Sequence, residues 1–200
     1  NDYSRLKARV LEMNRTAARY FFETLTKSPD GEKGRRYFAE RQLSKKTIVK
    51  YGLGYAPDDW HRLHYYMNKQ GYSDDELVTA YLCARSSKGG VYDIFRDRVM
   101  FPIIDLRGNV IAFGGRIIDG TGPKYLNSAD TPVFKKSRNL FSMNYAKKSD
   151  EKRLILAEGY MDVISINQAG FENVVATLGT ALTPEQARLM KQYADEIIIC

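Results

Sequence analysis

The chain has 200 residues, a formal net charge of +7 at pH 7 and 44% hydrophobic residues, enough apolar content for a packed core in one or two domains. No apolar run reaches the length of a membrane span, and Asn1-Asp2-Tyr3-Ser4 has neither the basic start nor the apolar core of a signal peptide, so no membrane association and a cytoplasmic location are expected. Two cysteines, Cys83 and Cys200, are too few for a disulfide framework and offer no paired Cys-x-x-Cys zinc site.

Apolar residues at helical spacing (Leu6, Val10, Leu11, Ala17, Ala18, Phe21, Phe22, Leu25) predict one long amphipathic helix over 2–27, ended before Pro29. Short helices follow over 32–42, over 44–50 with Ser44 as cap, over 58–69 and over 73–82. The last is supported by a capping box of Ser73 and Glu76. His61 and His64 stand among Trp60, Tyr65 and Tyr66 and read as core or surface helix residues rather than metal ligands. This stretch reads as structural or substrate-positioning, with no catalytic constellation.

The middle of the chain is β-rich. Residues 98–105 and 110–118 predict a hairpin whose turn, Leu106-Arg107-Gly108-Asn109, uses Gly and Asn. Gly114, Gly115 and the loop Asp119-Gly120-Thr121-Gly122-Pro123-Lys124 let backbone approach a ligand closely. Lys124-Tyr125-Leu126-Asn127-Ser128 and Phe134-Lys135-Lys136-Ser137-Arg138 then supply ammonium, amide, hydroxyl and guanidinium donors. That inventory suits a triphosphate and ribose, but on the chemistry alone a solvated loop is the commoner setting for it. Residues 85–148 hold twelve Lys or Arg and five Asp, so the whole excess charge lies there, interleaved with aromatics. A groove tracking a polyphosphate backbone and an ordinary basic surface both fit, and Phe101 and Phe113, inside the hairpin strands, are assigned to the core.

Residues 145–152 begin as a short helix leading to a strand at Arg153. That strand, Leu154-Ile155-Leu156-Ala157, runs into Glu158-Gly159-Tyr160-Met161-Asp162 and a helix-length segment stopped by Gly170. A second apolar run ends at Leu178, and Thr183-Pro184-Glu185-Gln186 then opens another helix with a cap, a first-turn proline and a glutamine three residues on. A third apolar run occupies 196–200. Strand, helix, strand, helix, strand in this rhythm predicts a parallel α/β unit. Ligands bind outside the carboxyl ends of such strands, so Glu158 is either a cation ligand or a solvated glutamate at a βα turn.

Glu158-Gly159-Tyr160-Met161-Asp162, with Leu178-Gly179-Thr180, resembles the first half of the TOPRIM fold shared by bacterial primases, topoisomerases and some nucleases. Upstream, Arg98-Val99-Met100-Phe101-Pro102-Ile103, Phe113-Gly114-Gly115-Arg116 and Lys124-Tyr125-Leu126-Asn127-Ser128 resemble successive motifs of the bacterial replicative, DnaG-type DNA primases, and the match covers 85–200. The resemblance implies a mixed α+β fold. A basic, template- and nucleotide-binding subdomain of helices and β-hairpins would occupy 1–148, followed over 149–200 by a truncated parallel TOPRIM α/β unit.

The activity implied is DNA-directed synthesis of short RNA primers by metal-dependent nucleotidyl transfer. Another TOPRIM enzyme, nuclease or topoisomerase, and a non-catalytic single-stranded DNA or nucleotide-binding module are the alternatives. By the same resemblance Glu158 is catalytic and holds metal together with Asp162. Lys124, Tyr125, Asn127, Ser128, Lys136 and Arg138 would bind the nucleotide, and Arg96, Arg98 and Arg116 would line the template path. The cofactor is Mg²⁺ or Mn²⁺ in a two-ion site completed by an Asp-x-Asp pair beyond Cys200, so residues 1–200 alone are expected to be inactive. No zinc is expected within them. The partners implied are single-stranded DNA template, NTPs, the RNA primer, a replicative helicase contacted through regions outside 1–200, and inhibitory alarmones of the guanosine tetraphosphate type.

Overall fold

The computed structural model describes residues 2–200. Helix α1 (Asp2–Lys27) buries Val10, Met13, Ala17, Phe21 and Leu25 along one face, as their spacing predicts. It stops where Ser28 turns its hydroxyl onto the Asp30 amide at 3.2 Å and Pro29 opens a 3₁₀ turn. Helix α2 (Glu32–Glu40) follows, then α3 (Lys45–Tyr51), whose first turn is capped by Ser44 Oγ accepting from the Thr47 amide at 3.1 Å.

Strand β1 (Gly54–Ala56) leads to α4 (Arg62–Lys69) and α5 (Asp74–Thr79). Helix α4 starts four residues later than the sequence suggests. Asp59 Oδ1 accepts from the His61 amide at 2.8 Å and holds that stretch as a turn, and the helix receives its cap from elsewhere. The two carboxylate oxygens of Asp93 accept from the Leu63 and His64 amides at 2.8 and 2.9 Å. Helix α5 carries the Ser73–Glu76 capping box but ends three residues early. Tyr81 takes a left-handed φ of 57°, and the Tyr81 and Leu82 amides close back on Val78 and Leu77 in a Schellman arrangement.

Strands β2 (Cys83–Arg85) and β3 (Val91–Asp93) form a small hairpin. The larger one joins β4 (Arg98–Ile104) to β5 (Val110–Ile117), and β6 (Tyr125–Asn127) adds to its far side, giving an antiparallel sheet in the order β1-β4-β5-β6. A 3₁₀ turn at Lys136–Arg138 and a short α6 (Met143–Ala146) precede β7 (Arg153–Ala157), α7 (Tyr160–Gln168), β8 (Val174–Ala176), α8 (Pro184–Lys191) and β9 (Glu196–Ile199). These three strands are parallel, in the order β8-β7-β9. Leu156 pairs with Ile199 and accepts from the Cys200 amide at 3.1 Å, so Glu158 and Cys200 leave the sheet at the same edge.

The fold is therefore mixed, with a helical and hairpin portion followed by a parallel α/β unit. One apolar cluster runs through both: Phe38, Phe101 and Ile103 pack in it with Ala157, Tyr160, Val163, Ile164 and Ala176. Phe141 extends the contact by pairing its backbone with Ala176, N to O at 2.8 Å. Among the described residues no helix is long and apolar enough to cross a membrane.

Candidate active site

The apolar run of β7 ends at Ala157, so Glu158 leaves the core and is exposed, and Gly159 continues in an extended conformation before α7 begins at Tyr160. Asp162 lies in the first turn of that helix, where the partial positive charge of the amides favours a carboxylate. Among the described residues neither Glu158 nor Asp162 has a hydrogen-bonding or ion-pair partner, and no group of three or more His, Cys, Asp or Glu residues could by itself hold a metal ion. Two unpaired, exposed carboxylates on one turn match the oxygen ligands that a hard divalent cation takes. The donor set therefore fits Mg²⁺ or Mn²⁺, with further ligands required from elsewhere.

Tyr160 turns the other way, into the core. Its ring stacks on Phe101 at 5.0 Å with an interplanar angle of 7°, and meets Phe141 edge-on. Burial, and then the neighbouring Tyr125, push its phenol pKa up, so it remains a donor. The proton goes to Asn127 Oδ1 at 2.7 Å, and Asn127 Nδ2 donates in turn to the Leu178 carbonyl at 2.9 Å.

Strand β6 thus lies against the Glu158 turn. Its first residue, Tyr125, is 39% exposed with its ring 6.2 Å from that of Tyr160, and Lys124 just before it is exposed. Arg116 on β5 pairs with Tyr125 in the ladder. The Arg116 guanidinium lies 5.0 Å from the Tyr37 ring centroid, and Arg41 covers that ring at 3.5 Å. Arg116 and Tyr125 therefore lie on the strand pair that packs, through Tyr160, against the start of α7.

Besides Asn127, two residues of the expected set spend their polar atoms inside the fold. Ser128 is 1% exposed, its Oγ accepting from the Phe113 amide at 3.0 Å and lying 3.3 Å from the Phe113 carbonyl. Arg98 is buried with its guanidinium on the carbonyls of Gly115, Pro123 and Lys124, at 3.1, 2.9 and 3.3 Å. Desolvation, then the neighbouring Arg96, lower its pKa. Both hold β5 and β6 and the loop between them in place. Lys136 and Arg138 sit on the 3₁₀ turn, which α8 fastens: buried Gln186 donates to the carbonyls of Lys136 and Asn139 at 3.0 and 2.9 Å, and Thr183 Oγ1 donates to Ser137 O at 2.6 Å.

Arg96 stands apart from the carboxylates. Its guanidinium lies 3.6 Å from the Trp60 ring centroid and donates to the Asp93 carbonyl, and Trp60 is 55% exposed. The indole thus stays more than half open to solvent with a guanidinium against its ring. In the sequence Trp60 is one of several aromatics around the helix start, and nothing local separates it from the core. Arg41 and Gln186 are equally unmarked: one is an ordinary end-of-helix arginine, the other the glutamine of a capping box.

A family model described as the DNA primase catalytic core, N-terminal domain, matches residues 20–147, and a Toprim domain model matches residues 152–200. The chain is 48% identical over 192 residues to a DNA primase of Clostridium acetobutylicum and 36% identical over 193 residues to one of Staphylococcus aureus. These alignments cover 96% and 95% of this chain but only 32% of each relative's length. Among solved structures, a DnaG primase catalytic domain bound to single-stranded DNA superposes with a TM-score of 0.90 at 33% identity, covering 98% of this chain and 64% of that one. A DNA primase domain from Pseudomonas aeruginosa gives 0.89 at 38% identity, covering 96% and 60%. With the carboxylate turn, the basic strands beside it and these matches in agreement, the chain belongs to the DnaG-type DNA primase catalytic-core family, as its amino-terminal portion and the first part of its Toprim domain.

Proposed function

We propose that the protein carrying this chain synthesises short RNA primers on a single-stranded DNA template by metal-dependent nucleotidyl transfer. The observation that carries this reading is the pair of free carboxylates, Glu158 and Asp162, on the turn beside which β6 presents Lys124 and Tyr125. A bound Mg²⁺ or Mn²⁺ supplies the Lewis acid that lowers the pKa of an attacking 3′-hydroxyl and offsets charge on the α-phosphate and the leaving pyrophosphate. Glu158 and Asp162 hold the cation, and the resemblance assigns the remaining acidic ligands to residues beyond Cys200. Lys124, Lys136 and Arg138 carry positive charge to the triphosphate, Tyr125 offers an aromatic face, and Asn127 and Ser128 keep β6 in register.

The template runs over Arg116 and Arg41 and onto Trp60 and Arg96, which form a stacking platform for a base. Support comes from exposed Arg41, from half-buried Arg96 and Arg116 beside aromatic rings, and from the neighbouring structure bound to single-stranded DNA. A division into a nucleotide- and template-binding part over 1–148 and a TOPRIM part over 149–200, a cytoplasmic location, a helicase partner reached through other regions, and competition between NTPs and guanosine tetraphosphate-type alarmones belong to the same reading.

Replacing Glu158 with Gln in the full-length protein tests it. The change keeps size and one acceptor oxygen but removes charge, so primer synthesis should fall by orders of magnitude, on the scale of several kcal/mol of transition-state stabilisation. Binding to single-stranded DNA, read by fluorescence anisotropy on the same preparation, should persist. Near-normal synthesis would remove Glu158 from the metal site.

A further inference from the structure

Asn127 is the last residue of β6, yet both polar atoms of its side chain point at the parallel unit. Its Oδ1 accepts from the Tyr160 hydroxyl at 2.7 Å and its Nδ2 donates to the Leu178 carbonyl at 2.9 Å. Tyr160 opens α7 two positions after Glu158, and Leu178 lies just past the end of β8, before Gly179. One carboxamide from the antiparallel sheet therefore ties the turn after β7 to the turn after β8. Those are the turns that flank the crevice at the carboxyl ends of the parallel strands.

The surroundings leave this bridge little freedom. A methyl group on Gly114 would stand 2.6 Å from the Tyr160 ring, and one on Gly179 would stand 2.7 Å from Asn127 Nδ2. Gly179 also has a φ of 75°, which a side chain would resist. The far end of α7 is fastened as well: Asn167 Oδ1 accepts from Lys50 at 2.8 Å, and Gln168 bonds to Ser44 and Gln42 at 2.9 and 3.0 Å. The helix that carries Asp162 is thus held at both ends by the amino-terminal part of the chain.

We propose that Asn127 is a positioning residue for the cation site: through Tyr160 and Leu178 it sets the placement of the Glu158 turn against the loop after β8. The proposal rests on the metal-dependent reading above. Placement matters because Mg²⁺ accepts oxygen ligands only in near-octahedral geometry at about 2.0–2.1 Å, so a small displacement of one carboxylate is felt as lost affinity. A residue that served only as a nucleotide ligand would not need Tyr160.

The test uses the full-length protein with Tyr160→Phe, Asn127→Ala, the two combined, and Glu158→Gln. Tyr160→Phe keeps the buried ring and removes only the hydroxyl. Mn²⁺ affinity is read by electron paramagnetic resonance without nucleotide, alongside the NTP KM at saturating metal and the thermal midpoint. Tyr160→Phe should weaken Mn²⁺ binding by about three- to tenfold, the value of one internal hydrogen bond, with the NTP KM unchanged. The double variant should bind Mn²⁺ no worse than Asn127→Ala, because the two residues share one bond. Wild-type Mn²⁺ affinity in Tyr160→Phe, with or without a lower thermal midpoint, would overturn the proposal. So would an Asn127→Ala defect confined to the NTP KM. If Glu158→Gln itself binds Mn²⁺ and synthesises primer normally, the metal reading has failed. If it is inactive while Tyr160→Phe binds metal normally, only the bridge has failed.

Discussion

Lys33 on α2 donates to both carboxylate oxygens of Asp97, at 2.8 and 2.7 Å, and the Tyr55 hydroxyl donates to the same group at 2.7 Å. Asp97 sits between Arg96 and Arg98 with a left-handed φ of 48°, its amide on Pro57 O and its carbonyl accepting from Ile118. Helix α2 and strand β1 thereby pin the bend from which β4 starts and from which Arg96 reaches Trp60. Burial opposes the Lys33 ammonium, but its hydrogen bonds to Asp97 and Asp119 outweigh that, and its pKa is raised.

Asp97→Asn isolates this ion pair, since asparagine tolerates the left-handed backbone and keeps an acceptor for Tyr55. The Lys33 side chain is partly open to solvent, so screening reduces the loss to roughly 1–2 kcal/mol, below the cost of breaking a fully buried pair. Urea unfolding should show it. Asp97→Ala should cost more, because alanine resists that φ and leaves Tyr55 without its acceptor. Equal midpoints for wild type and Asp97→Asn would mean that the pair contributes nothing to stability.

The buried Asp93 that caps α4 gives a pH-dependent prediction. Burial raises its pKa from 3.8 to about 6, against the pull of the His64 and Leu63 amides. A carboxyl whose folded pKa lies above its unfolded one holds its proton more readily when folded. Its contribution is fully present below the unfolded value and is lost as pH rises through about 6. Relative to Asp93→Asn, which does not titrate, the wild type should lose on the order of 3 kcal/mol between pH 3 and pH 7. Urea midpoints of both proteins at those pH values give the difference, and a difference independent of pH would contradict the assignment.

Trp60 and Arg116 should separate in their response to salt. Trp60→Ala should weaken single-stranded DNA binding by about 1–3 kcal/mol, the value of one stacked base, with the salt dependence unchanged. Arg116→Ala should lower the slope of log affinity against log salt by about one. Anisotropy titrations at several salt concentrations distinguish them. Unchanged affinity in Trp60→Ala would remove the platform from the template path.

Elements whose signals are local can be read from the chain before it folds. The long α1 is written in apolar residues at helical spacing, the starts of α3, α5 and α8 in their caps, the β4–β5 hairpin in its Gly-containing turn, and the alternation from β7 to β9 in apolar runs separated by helices. Glu158 at the carboxyl edge was legible for the same reason, because a strand running into a carboxylate and a glycine places that carboxylate whatever lies around it. Strands β1, β2, β3 and β6 were not. Three residues carry no period, and each becomes a strand only because a partner strand supplies its hydrogen bonds, for β1 a strand more than forty residues away. The start of α4 carries no local signal either, since its cap comes from Asp93, some thirty residues on. The same physics decided the site: Arg98, Ser128 and Asn127 offer polar atoms that composition alone counts as available to a ligand. The folded chain spends those atoms on Gly115, Phe113 and Tyr160, because a polar group taken out of water must find its partner inside.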